Sequence, residues 1–291
     1  MPSTLELRRR IRSVRSTKQI TKAMELVSAS KMRRASEATL ASRPYTEKSW
    51  QIISDIIKSG QVNHQEISHP LLTVRPIKKT LAIVISSDRG LAGIYNAAII
   101  KKIQELENSI NIGSLDFFTI GQKAASFLTR SGKIILQSYP QPGTQPHLRE
   151  IQGIAHSVIK DYTAQKYDQV ILIYTDFVSL LSQQATTQKL LPLSTSDLPE
   201  NSEKAYEFLY EPTAQEVLDH LLPRLVETQL YQALLESVAS EHAARRIAMK
   251  NATDNANDII DDLTLTYNGI RQSAITQELA EITSGAAALT T

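Results

Sequence analysis

No Gly stands between Gly153 and Gly269, and no Pro follows Pro223, so from Thr213 to about Ala288 almost nothing in the chain can break a helix. Within that stretch, apolar or small side chains recur at alternating three- and four-residue steps: Met249, Ala252, Ala256, Ile259, Leu263, Tyr267, Ile270 and Ala274. This spacing holds one seam along a helix, the pattern of a coiled coil. At helical rise such a segment is roughly 110 Å long. A seam of that extent needs a partner helix, and the other end of the chain offers one.

Residues 3–57 hold no Gly; Ser3 or Thr4, with Glu6 nearby, is a plausible N-cap. Ile11, Val14, Ile20, Met24 and Val27 lie on or near one face, interleaved with the small residues Ala23, Ser28, Ala29 and Ser30. Pro44 is expected to bend this helix or mark a joint in it. Beyond it, Ile52, Ile53, Ile56 and Ile57 continue the apolar face. Ser3–Ser36 carries ten Lys and Arg against Glu6 and Glu25. An Arg- and Ser-rich start is shared with transit peptides. Hydrophobic periodicity already runs from Leu7 through Ile11 and Val14, however, so folded helix is expected.

The middle of the chain has a different grammar. Eight of the ten glycines fall between Gly60 and Gly153. Gly60–Lys79, with Pro70 and Pro76, reads as a linker. Strand-like runs follow at Thr80–Ser87, Leu115–Ile120, Lys133–Tyr139, Gln169–Asp176, Gln184–Leu193 and Ala205–Tyr210. Helical stretches separate them at Asn96–Glu107, up to Arg130, and near Leu148–Gln165. Strands alternating with helices argue for an α/β layered domain. The expected organisation is an N-terminal coiled-coil helix over 1–59, an inserted α/β domain over 77–211 and a C-terminal coiled-coil helix over 212–291, the two helices packing antiparallel.

Composition removes several chemistries. With no cysteine there is no disulfide, thiol switch or cysteine metal site. The six histidines show no H-x-x-x-H or H-E-x-x-H grouping, so no metal site is expected. No apolar run approaches the ~18 residues of a membrane span. The basic N-terminal segment could face nucleic acid, but no aromatic interleaves with its charges before Tyr45, so a partner-facing surface is preferred. Ser86–Gly93 (SSDRGLAG) follows a strand and precedes a helix, as phosphate loops do. Its glycines fit neither G-x-G-x-x-G nor G-x-x-x-x-G-K-[ST], and Ser87, Asp88, Arg89 and Gly90 read as an ordinary βα turn. No catalytic constellation stands out. Asp254, Asp258, Asp261 and Asp262 form an acidic strip that antiparallel pairing brings near Arg8, Arg12 and Arg15.

Three segments carry a resemblance: Ile11–Arg34 (IRSVRSTKQITKAMELVSASKMRR), the SSDRGLAG loop, and Ser240–Leu289 (SEHAARRIAMKNATDNANDIIDDLTLTYN…QSAITQELAEITSGAAAL). Together they closely resemble the gamma subunit of F-type ATP synthase. The resemblance implies a Rossmann-like α/β domain inserted in a coiled coil of the two terminal helices. It further implies a rotating shaft inside the ring of alpha and beta subunits, with the epsilon subunit and the c-ring at its foot. ATP, ADP and Mg would be held by alpha and beta, none by this chain. Such a chain sits at the cell membrane as a peripheral protein on the cytoplasmic side, and has a role in regulating ATPase activity and proton flow. Rotor–stator and coiled-coil contacts would fall on Arg8, Ile11, Arg12, Ala23, Met24, Val27, Met249, Asp254, Ile259, Leu263, Ile270, Gln277, Glu278, Leu279 and Ile282. Chloroplast and cyanobacterial forms carry an insert that is absent here between Asp176 and Glu211, which points to an ordinary bacterial type. Gly269 and Ile270 depart from the basic-then-Ala dipeptide usual in that family. The rival readings are a nucleotide-binding α/β enzyme with a helical oligomerisation arm and a nucleic-acid-binding coiled coil.

Overall fold

The computed structural model describes residues 3–62, 69–109, 114–143, 146–193, 211 and 213–289. The strand expected at 205–210 lies outside the described residues. In order the elements are α1 (Thr4–Val62), β1 (Lys79–Ile85), α2 (Tyr95–Ser109), β2 (Ser114–Ile120), α3 (Gln122–Arg130), β3 (Ile135–Tyr139), α4 (Leu148–Thr163), β4 (Gln169–Phe177), β5 (Gln183–Leu191) and α5 (Ala214–Leu289). The chain divides into two compact units: Met1–Ser28 with Arg246–Thr291, and Ala29–Arg245.

The second unit holds the sheet, in the order β3-β2-β1-β4-β5. β1 lies parallel to both β2 and β4, β3 is parallel to β2, and β5 returns antiparallel on β4. The alternation of side chains along each strand feeds two cores. Ala82, Val84, Phe117, Ile171 and Ile173 pack with Ile99, Ile103 and Leu106 of α2 and Ala124 and Leu128 of α3. Leu81, Ile83, Ile85, Phe118, Ile120, Val170 and Leu172 point the other way, into a larger core. There they meet Ile151, Ile154 and Val158 of α4, Met32, Ala35, Ile53 and Ile56 of α1, and Leu218 to Ala243 of α5. Helices therefore cover both faces, which is why β1 reads as one continuous apolar run. The winding reverses at β1, whose neighbours are β2 on one side and β4 on the other. The crevice at the carboxyl ends of β1 and β4 is thus the topological switch point, where open α/β sheets hold ligands.

Pro44, where a bend or joint is expected, lies inside α1, and Pro223 lies inside α5. Each proline removes one backbone donor, and the hydrogen bonds on either side carry the helix through. In the first unit Ser3 caps α1, its Oγ accepting from the Glu6 amide at 3.2 Å.

One row of fully or partly buried residues along α1 alternates four- and three-residue steps. In the first unit they are Leu7, Ile11, Val14, Lys18, Thr21, Glu25 and Ser28, fully or partly buried; in the second they are Met32, Ala35, Thr39, Ser42, Thr46, Ser49, Ile53 and Ile56. On the first-unit part of α5 the matching set is Arg246, Met249, Thr253, Ala256, Ile260, Leu263, Tyr267 and Ile270. Thr253 and Ile260 thus take the seam positions expected for Ala252 and Ile259. Ile260 is 9% exposed and Ile259 47%. Thr21 Oγ1 lies 2.8 Å from Thr253 Oγ1, and Arg8 donates to the Tyr267 hydroxyl at 2.6 Å. Facing residue numbers therefore sum to 274 or 275, an antiparallel register.

Candidate functional site

The loop at the switch point is closed by groups of this chain. Three successive amides open α3. Gln122 N donates to Asp88 Oδ1 at 2.9 Å, Lys123 N to the Ser87 carbonyl at 3.0 Å, and Ala124 N to Ser86 Oγ at 3.0 Å. α3 follows β2, one strand away from the switch point, and its first amides have no partner within the helix itself. Here a carboxylate, a carbonyl and a hydroxyl already accept from them. The fit requires Gly121, whose φ is 102° and whose missing Cβ would stand 2.0 Å from the Ser86 carbonyl oxygen. Asp88 also accepts from the Gln141 amide at 3.2 Å, and Ser87 hydrogen-bonds Asn96 Oδ1 at the start of α2. Leu91 sits at a φ of 62° and is exposed, as is Arg89, while Gly90 is half-buried.

α5 fills the rest of the crevice. Ser237 Oγ accepts from the Thr175 amide at 3.2 Å, and Ser240 Oγ donates to the Thr175 carbonyl at 3.3 Å, so two serines one turn apart engage the end of β4. Arg245 donates to the Gly90 carbonyl at 3.2 Å and pairs with Glu241, which also accepts from Gln141 Nε2. Tyr95, at the first position of α2, is buried against Ala92 and Ala244. Burial, then the Glu241 charge, pushes its hydroxyl far above the ordinary tyrosine value, so it stays protonated. One turn earlier on α5, Glu236 accepts from Arg43 of α1 at 3.3 Å and from Gln232 at 2.8 Å. Arg43 also reaches Asp176 at 3.7 Å and the Phe177 carbonyl at 3.2 Å, tying α1 to the end of β4. Desolvation raises the Glu236 carboxyl above its usual range.

The first unit presents a different surface. From Arg271 to Ala286 every residue is exposed, including Ile275, Leu279 and Ile282 at 48%, 58% and 68%. With sums of 274 or 275, Thr4, the first residue of α1, stands opposite position 270 or 271, where that exposure begins. Gln277 donates to Glu281, and Glu278 faces outward beside it.

The residues singled out from sequence fall into three groups. Ile11, Met24, Met249, Leu263 and Ile270 lie on the seam or at its edge; Gln277, Glu278, Leu279 and Ile282 lie on the exposed end. Arg8, Arg12, Ala23, Val27, Asp254 and Ile259 are exposed on the flanks, so Ala23, Val27 and Ile259 do not mediate the contact between the two helices. Their phase is one step off the heptad that Leu7 and Ile11 begin. Nor does any ion pair join Asp254, Asp258, Asp261 or Asp262 to Arg8, Arg12 or Arg15 among the described residues. Arg8 instead stacks on and hydrogen-bonds Tyr267. Missed from sequence were Thr21, Thr253 and Ile260 on the seam, and Arg43, Glu236, Glu241 and Arg245 within the fold. Extending the step from Leu7 and Ile11 would have found Thr21.

The second unit is thus a doubly wound domain whose ligand crevice is filled by α5, and the first unit is an antiparallel helix pair. The chain belongs to the ATP synthase gamma-chain family. A family model described as ATP synthase matches residues 3–289. The chain is 45% identical over 290 residues to the ATP synthase gamma chain of Pelotomaculum thermopropionicum, covering 99% of this chain and 100% of that one. It is 44% identical over 292 residues to that of Roseiflexus castenholzii, covering 99% of each. Among solved structures it is similar to the central stalk and c-ring of the Tetrahymena thermophila mitochondrial ATP synthase, with a TM-score of 0.61 and 29% identity over 80% of this chain and 99% of that one. The fold is also similar to a chain of the Euglena gracilis mitochondrial enzyme, with a TM-score of 0.67 over 98% of this chain and 94% of that one at 17% identity.

Proposed function

We infer that this chain is the rotating central shaft of a bacterial F1Fo ATP synthase, coupling transmembrane proton flow to ATP synthesis or hydrolysis at the beta subunits. One observation carries the reading: a helix whose last described turns are exposed on all sides yet keep Ile275, Leu279 and Ile282. A lone helix in water gains nothing from such residues, so another surface covers them. The bearing of an alpha–beta ring is the surface that family membership supplies. The epsilon subunit and the c-ring are the corresponding partners at the foot.

The shaft supplies asymmetry. A partner shifts a conformational equilibrium only by its differential affinity for the states. A rotor that presents different faces to three identical beta sites holds each in a different state, and turning it cycles them. Linkage makes the coupling reciprocal, so ion flow drives synthesis and hydrolysis drives the rotor backward. Each proton contributes about 2.3 kcal/mol per 100 mV.

Nucleotide and Mg belong with the alpha and beta subunits on this reading. The filling of the crevice at the ends of β1 and β4 by α5, through Ser237, Ser240 and Arg245, supports that assignment over a nucleotide-binding enzyme. No helix among the described residues is long and apolar enough to cross a membrane, in keeping with a peripheral position on the cytoplasmic side of the cell membrane. Regulation of ATPase activity and of proton flow follows from the same linkage.

The test is reconstitution with alpha and beta subunits and measurement of ATP-driven rotation of a probe attached to the α/β unit. Rotation is expected, with no ATPase activity in the isolated chain. Tight stoichiometric binding of ATP or NAD to the chain alone, seen by calorimetry, would favour the enzyme instead.

A further inference from the structure

The seam of the first unit is an unusual core for a coiled coil. Between Lys18 and Ser28 the α1 positions are Lys18, Thr21, Glu25 and Ser28, and the facing α5 positions are Ala256, Thr253, Met249 and Arg246, whereas Ile260 and Leu263 face Val14 and Ile11 above them. Large branched side chains, whose knobs fix the register of most coiled coils, are nearly absent from this stretch. Sliding one helix by a turn would exchange small and polar residues for others of the same kind, with little loss of apolar burial. Register therefore has to come from somewhere else.

The Thr21–Thr253 pair is the feature that can supply it. Both residues are buried, at 9% and 5% exposure, and their hydroxyl oxygens are 2.8 Å apart. Thr21 Oγ1 also lies 3.0 Å from the Lys18 carbonyl, and Thr253 Oγ1 2.8 Å from the Met249 carbonyl. Two hydroxyl protons serve three contacts. Either Thr21 donates to Thr253, which donates to Met249 O, or Thr253 donates to Thr21, which donates to Lys18 O. In both arrangements every proton is used and the pair ties the helices at its own height, well away from the Arg8–Tyr267 contact nearer the start of α1. A shift of three or four residues sets the Thr21 hydroxyl against Met249 or Ala256, neither of which can take its place in the bond.

We propose that the Thr21–Thr253 hydroxyl pair is the register pin of the shaft, positioning α5 against α1 where packing does not. The pin stands on this chain alone; its consequence for coupling rests on the rotor reading, because a shaft whose strands slip by a turn presents altered faces to its bearing.

The chain has no cysteine, so introduced pairs report register directly. Cysteines at Val14 and Ile260, whose numbers sum to 274, report the observed register. Cysteines at Val14 with Ala256, or at Val14 with Leu263, report slips of one step. Oxidation yields of these pairs are compared in the full-length chain bearing native threonines, T21V/T253V, which keeps shape and removes the hydroxyls, or T21S/T253S, which keeps the hydroxyls and removes the methyls. The 14–260 pair is expected to dominate with Thr and with Ser, and the slipped pairs to rise at least several-fold with Val. Unchanged yields with Val, or slippage with Ser equal to that with Val, would overturn the proposal. ATP-driven proton pumping per ATP hydrolysed is then measured in reconstituted complexes of the same threonine variants without cysteines. A fall with Val alone is expected. Slipped register with an unchanged pumping ratio would leave the pin standing and count against the rotor reading.

Discussion

At the scale of single residues, Asp88 acts through its hydrogen bonds and His242 through its burial. Asp88 gives its carboxylate to the start of α3, the position of strongest positive potential on that helix. Asp88→Ala removes the acceptor for Gln122 and Gln141 and is expected to cost about 1–2 kcal/mol in chemical denaturation. Asp88→Asn retains one acceptor oxygen and should cost less; equal losses would show that the loop is held elsewhere. His242 is buried, and desolvation, then the nearby charges of Arg245 and Lys31, lower its value from 6.5 to about 4. The folded state thus refuses a proton that the unfolded chain takes up. Its neutral form is fully favourable above pH 6.5, and stability is lost as pH falls through that value toward 4. The loss expected from this group is about 3 kcal/mol. His242→Gln should flatten the dependence between pH 6.5 and 4 relative to the parent, read from denaturation midpoints across that window. An unchanged slope would mean that His242 can be protonated in place.

At the scale of elements, adjacent isoleucines on α5 separate seam from flank. Ile260→Ala is expected to cost about 2–4 kcal/mol, and Ile259→Ala under about 1 kcal/mol. Comparable losses would place the seam one residue away from where the burial puts it. This pair also shows where sequence was readable. The strands were legible because β1, β2 and β4 are largely buried and so are rich in apolar, β-branched and aromatic residues, bounded by turn residues. Both long helices were legible from the absence of breakers. The seam within them was not, because a search for apolar residues selects Ile20, Val27 and Ile259, whereas the buried positions carry Thr21, Ser28 and Thr253. The closure of the switch point was illegible for a related reason. Its partners, Asp88, Gln141, Glu241 and Arg245, are polar residues far apart in sequence, and only the fold brings them together.

At the scale of the whole molecule, the exposed end of α5 separates folding from assembly. Ending the chain after Ile270 removes Arg271–Ala286, all of it exposed. Melting by circular dichroism should therefore remain within about 0.5 kcal/mol of the parent in stability, while ATP-driven proton pumping of the reconstituted complex falls. Loss of the cooperative melt on truncation would show that these turns support their own chain.

The larger core has a consequence for how the protein is made. Its members come from near both ends of the chain: Met32 and Ala35 on α1, the strands between, and Leu218 through Ala243 on α5. A ribosome releases α1 and the first four strands long before α5. Until residues near 243 emerge, the inner face of the sheet has only α1 and α4 to cover it, and contacts of such sequence separation form slowly. The nascent chain must therefore wait with Leu81, Ile83, Phe118 and Leu172 incompletely covered. Ribosome-bound chains stalled before Leu218 should be cleaved rapidly by added protease, and those stalled with residues up to about 245 outside the exit tunnel should resist it.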